Sequence, residues 1–175
     1  MCARAAWISQ LLDKLERSDE AGAAGVRYLR VHGIRLDTHE QSTAARWTVG
    51  RKIELHPRYT QGPPGAPYTL SLVMHEIQHF RQGLPVALSV YGEMDAWQIQ
   101  FRFLRSVAGA YPMTADQSRL IGELLALPLG WARPVLRAAQ GIMRQYGGQS
   151  YRIDLLPLYP LHKELLFRFG GREPG

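Results

Sequence analysis

The sequence predicts an α+β fold, with helices packed around a small antiparallel sheet in a single domain spanning residues 1–175. Three observations carry that reading. Apolar residues recur at helical spacing at both ends of the chain, the spacing drops to two between Ile34 and Leu55, and no repeat or long linker divides the sequence.

The first helix shows as Trp7, Ile8, Leu11, Leu12 and Leu15, an amphipathic stripe. Ser18, with Asp19 and Glu20 behind it, supplies a cap and an acidic first turn for a second helix. That helix is expected to turn Ala21, Ala24, Tyr28 and Leu29 inward and to stop at Gly33. Ile34 and Leu36, then Ala45, Trp47 and Val49, then Ile53 and Leu55 alternate with polar residues, as in short antiparallel strands with one wet face. Val49-Gly50-Arg51 is the expected turn between two of them. Residues 57–67 carry four prolines and two glycines and form a loop.

Helical spacing returns with Leu70, Val73, Met74 and Ile77, and Gly83 and Pro85 end that helix. A further helix is expected over 86–108, with Trp97, Phe101, Leu104 and Ala108 on one side. Thr114 and Gln117 have capping-box spacing for a helix to Leu127. Another runs from Ala132 to Tyr146 and closes at Gly147-Gly148, and a short one follows Pro160.

Composition narrows the function classes. With 46% hydrophobic and 21% charged residues, the chain has the make-up of a globular protein rather than a disordered one. Its one cysteine, Cys2, excludes an internal disulfide framework and a cysteine-rich zinc finger. Segments 84–108 and 120–139 are interrupted by charges where a membrane span needs about 20 mostly apolar residues. No apolar run before Asp13 is long enough for a signal peptide, so the expectation is a soluble cytoplasmic protein. The net charge of +6 is spread without a basic run, which argues against nucleic acid as the partner.

One motif carries chemistry. His75-Glu76-Ile77-Gln78-His79 is an HExxH sequence inside a segment with helical periodicity. Histidines at i and i+4 lie on one helix face about 5–6 Å apart, so their imidazoles can converge on one Zn²⁺. Glu76 sits beside the same face, where it can reach a water rather than the metal, as a general base must. A catalytic site needs a third protein ligand, and no histidine follows at the required spacing. Glu93 is in line with Trp97 and Phe101, where a carboxylate is costly unless paired or ligating. It is therefore favoured over Asp95, which projects about 200° away around the helix.

HEIQHFRQG followed by GEMDAW resembles the gluzincin zinc metallopeptidases in their minimal, single-domain (minigluzincin-like) form, over about residues 51–104. The resemblance implies a zincin-like fold and peptide hydrolysis. It implies zinc held by His75, His79 and Glu93, with Glu76 as the base and a peptide or unfolded protein as substrate. It also implies that the strand in RKIELHP is an edge strand able to pair with extended peptide. Many gluzincins place an acid four residues after the glutamate ligand to orient a histidine, and here that position is Trp97.

Peptide hydrolysis also requires a donor for the oxyanion. Tyr91, Tyr151, Tyr159, His162 and Arg152 are the candidates, with Tyr151 and His162 preferred because the C-terminal segment could cover the cleft. His56 reads as a strand-end residue, His32 and His39 as solvated turn residues, and Trp7, Trp47 and Trp131 as core. The competing function is a zinc-site interaction or regulatory protein that keeps the scaffold without the catalysis.

Overall fold

Gly22 and Gly25 explain how the second helix packs against its neighbours. The computed structural model describes residues 3–109, 113–148 and 151–170, so Cys2 lies outside the described residues. Helix α1 (Ala3–Glu16) is followed by α2 (Glu20–Val31), which is capped by Asp19: its carboxylate accepts from the Gly22 N–H at 2.7 Å. Ser18 instead donates its hydroxyl to Leu15 O at 2.7 Å. The buried face of α2 is Gly22, Gly25, Val26 and Leu29, and Ala21 is exposed. The expected alanine face is displaced because α2 approaches too closely for side chains. A Cβ on Gly22 would run into the Leu15 carbonyl, and one on Gly25 would lie 2.9 Å from Met74 Sδ and 3.2 Å from Ile77 Cδ1. Gly25 therefore seats the back of the helix that carries the HExxH motif.

The sheet has strands β1 (Arg35–Thr38), β2 (Ala45–Thr48) and β3 (Lys52–Leu55) in the order β1-β3-β2. β2 and β3 form an antiparallel hairpin through the turn at 49–51, where Arg51 adopts a φ of 54°. β1 pairs parallel to β3, with Leu36 opposite Ile53 and Thr38 opposite Leu55. The sheet is therefore mixed, not purely antiparallel. The RKIELHP strand is central, not an edge. Its flanks are further closed by the His39 N–H on Leu55 O (3.0 Å) and the Gln41 amide on Glu54 O (2.8 Å). An extended peptide has no open edge of β3 to join.

The described residues divide into two compact units, 3–77 with 99–109, and 78–98 with 113–148 and 151–170. The first holds α1, α2, the sheet and a 3₁₀ turn at Pro57–Gln61, together with parts of α3 (Pro67–Gln82) and α5 (Val90–Ala108). Its core is formed by Leu11, Leu15, Val26, Ile53, Leu55, Val73 and Ile77. At its surface Arg30 grips Glu16 with two hydrogen bonds of 2.6 and 2.8 Å, which hold that carboxyl below its usual pKa. The second unit holds the remaining parts of α3 and α5, plus α4 (Leu84–Ala87), α6 (Ala115–Ala126), α7 (Arg133–Gly147) and α8 (Leu161–Gly170). Met94, Trp97, Leu120, Leu124, Leu136, Met143 and Ile153 are buried there.

The expected helix over 86–108 is broken at Leu88 and Ser89. Gly92 lies against the Val86 carbonyl, where any Cβ would collide. Ser89 closes the corner, donating to Val86 O (2.6 Å) and accepting from the Gly92 N–H (3.0 Å). That corner starts α5 and puts Glu93 in its first turn. Thr114 and Gln117 form the expected capping box at α6. Trp7, Trp47 and Trp131 are only partly buried, and the buried tryptophan is Trp97. Among the described residues no helix is long and apolar enough to cross a membrane.

Candidate metal centre

α3 is buried on nearly every side from Thr69 to Ile77, so the HExxH motif does not lie on a solvated surface helix. His75 is 8% exposed, Glu76 5% and His79 2%. Glutamate is rarely buried to this degree without a specific role or partner. The ligating atoms of His75, His79 and Glu93 lie within 4.8 Å of one another and could together hold a metal ion.

The best-defined edge of this cluster is His79 Nε2 to Glu93 Oε1, 3.4 Å. Two ligands at 2.0–2.2 Å from one tetrahedral centre are separated by about 3.4 Å. The donor set of two imidazoles and one carboxylate is one that suits Zn²⁺. On both counts the residues fit the ion.

Gln82, one helical turn after His79, fixes that histidine. Its amide nitrogen donates to Gly92 O (2.9 Å) and to Asp95 Oδ2 (2.8 Å), which are both pure acceptors. The amide oxygen must then face His79 Nδ1, at 3.1 Å. An acceptor there calls for a proton on Nδ1, so that Nε2, the nitrogen facing Glu93, is the one that could bind a metal. Asp95 also accepts from Gln78 at 2.6 Å, so its carboxylate is committed to the two glutamines. It is not among the clustered ligand atoms. The sequence reading did not find Gln82, although its i+3 spacing from His79 is a signal that could have.

No family model, curated protein or solved structure matches this chain.

The second group of partners surrounds Glu93. Tyr151 donates its hydroxyl to Glu93 Oε2 at 2.5 Å and accepts from the Trp97 indole N–H at 2.8 Å. Trp97 thus acts on the carboxylate side of the cluster. Gln82 acts on the histidine side. Tyr151 also lines an open cleft of about 640 Å³ with Arg144, Arg152, Asp154 and Leu155.

The other oxyanion candidates have surroundings of their own. Tyr91 stacks on Trp131 (centroids 4.3 Å apart), and burial, followed by the Asp95 charge, raises its phenol pKa. Tyr159 is buried edge-on to Phe167, while Arg152 and His162 are exposed. His56 caps the 3₁₀ turn, accepting from the Arg58 N–H at 3.1 Å, as a strand-end residue can.

Proposed function

We propose that this protein is a zinc-dependent peptidase in which His75, His79 and Glu93 hold the metal and Glu76 is the general base. The observation that carries the reading is the clustering of those three ligand atoms within 4.8 Å beside a buried glutamate one residue along the same helix. A structural site has no use for that glutamate. Bound zinc supplies Lewis acidity that polarises a carbonyl and acidifies water toward neutral pH.

The chain's own contribution is positional and electrostatic. Gln82 presents the His79 Nε2 lone pair, and Tyr151 and His79 bracket the Glu93 carboxylate. Glu76 takes one proton from the attacking water, whose oxygen bonds to the carbonyl carbon. It then delivers that proton to the amine as the C–N bond breaks. The proposed substrate is a peptide or unfolded protein, and the proposed location is the cytoplasm.

The placement of the oxyanion candidates favours one alternative, a zinc-binding interaction or regulatory protein. Tyr151 is engaged by Glu93 and Trp97, and Tyr91 by Trp131. Zinc content together with hydrolysis of an unstructured protein such as casein decides between the readings. The peptidase reading expects one zinc per chain and cleavage that stops on chelation and returns with zinc. Zinc without cleavage of several unstructured substrates favours the alternative.

A further inference from the structure

We infer that Tyr151 is a positioning residue that restricts Glu93 to a single ligating oxygen, Oε1, and so keeps one coordination position of the metal open. The inference rests on the proposed metal site and deepens it.

A carboxylate can bind a metal through one oxygen or both, and a catalytic zinc loses its open position if the second oxygen joins. Here the two oxygens of Glu93 are treated differently. Oε1 faces His79 Nε2 at 3.4 Å, whereas Oε2 accepts the Tyr151 hydroxyl at 2.5 Å. A hydroxyl that donates to a carboxylate makes a charge-assisted hydrogen bond, stronger than a neutral one. Rotating Oε2 toward a metal would break it.

Proton counting shows why the tyrosine holds its orientation. The Trp97 indole can only donate, and it donates to the Tyr151 oxygen at 2.8 Å. The single phenolic proton is therefore directed at Glu93. Trp97 is one turn after Glu93 on α5 and 6% exposed, and Tyr146 meets its ring edge-on at 5.1 Å. The backbone makes room as well: a Cβ on Gly147 would lie 2.6 Å from Tyr151 Cβ and 2.8 Å from its Cγ. Tyr151 is thus held between the Trp97 indole and Gly147, with its hydroxyl on one oxygen of the proposed ligand.

The test is Tyr151→Phe, which removes one oxygen atom and keeps the ring. Full-length wild type and variant are stripped, checked for equal melting temperature, and loaded with Co²⁺. Wild type is expected to give the intense visible absorption of a four-coordinate ion. The variant is expected to give a weaker, five-coordinate spectrum and to bind azide at the metal about 10-fold less tightly, the lower end of what losing an outer-sphere partner brings. Identical spectra and azide affinities in the two proteins overturn the inference while leaving the metal site intact. Failure of wild type to take up Co²⁺ or Zn²⁺ overturns the metal-site reading and the inference with it. If the variant does not fold, X-ray absorption of zinc-loaded wild type reads the same property. A four-ligand shell at about 2.0–2.1 Å supports single-oxygen ligation, and a fifth, longer oxygen contradicts it.

Discussion

Gln82 holds the imidazole of His79 by a 3.1 Å contact to Nδ1, and its own orientation is set by two acceptors on α5, Gly92 O and Asp95 Oδ2. The proton on one ring nitrogen thus follows from a carboxylate that never touches the ring. Replacing Gln82 with leucine keeps the bulk and deletes this relay. Zinc affinity, measured by competition with a chromophoric chelator, is expected to fall about 10–100-fold, with little change in the melting temperature of the metal-free protein. Unchanged affinity would remove Gln82 from the account.

The division of labour between Glu93 and Asp95 gives a second outcome. Glu93→Ala is expected to abolish stoichiometric zinc, because it removes one of the three clustered ligands. Asp95→Ala is expected to retain zinc at weakened affinity, since it only loosens the Gln78 and Gln82 amides. Elemental analysis after dialysis checks both, and the reverse pattern would reassign the third ligand.

Gly92 is expected to be the costly glycine and Gly122 the replaceable one. Gly92→Ala forces a methyl into the Val86 carbonyl at the corner that starts α5, and overpacking of this kind costs about 1–3 kcal/mol or more. It should lower the melting temperature and impair zinc uptake together, because Glu93 follows directly. Gly122, exposed within α6, has nothing within 4 Å of an added Cβ. Gly122→Ala should leave zinc uptake alone and stabilise by about 0.5–1 kcal/mol.

The capping box at α6 provides a control remote in sequence from the motif. Thr114→Ala removes the acceptor for the Gln117 N–H, a loss of about 1 kcal/mol. For a chain of this size that corresponds to about 2–4 °C in melting temperature. Differential scanning calorimetry checks it, and no shift would mean that the helix start is held by other contacts.

Local rules reached some parts of this chain and not others. The Thr114–Gln117 cap and the apolar face Leu70, Val73, Met74 and Ile77 depend on residues three or four apart, and both are found in the structure. The i, i+4 spacing of His75 and His79 is legible in the same way. Alternation in 34–55 gave the strands but not their order, because period two records which face is buried and not which strand is next door. Placing β3 between β1 and β2 depends on the crossing made by residues 39–44. The break at Leu88 and Ser89 follows from the approach of Gly92 to Val86, which helix periodicity does not encode. Tyr151 reaches Glu93 across 58 residues of sequence, with no spacing rule to announce it.

Glu76→Gln tests the central proposal most directly. The amide is nearly the same size and Glu76 is not a proposed ligand, so zinc occupancy and melting temperature should match wild type. An amide has no base function at neutral pH, so hydrolysis of an unstructured protein should fall at least about 10²-fold. Retained zinc with that loss is the result expected of a metal-assisted peptidase. Wild-type rates in a zinc-loaded, contaminant-free Glu76→Gln preparation would contradict it.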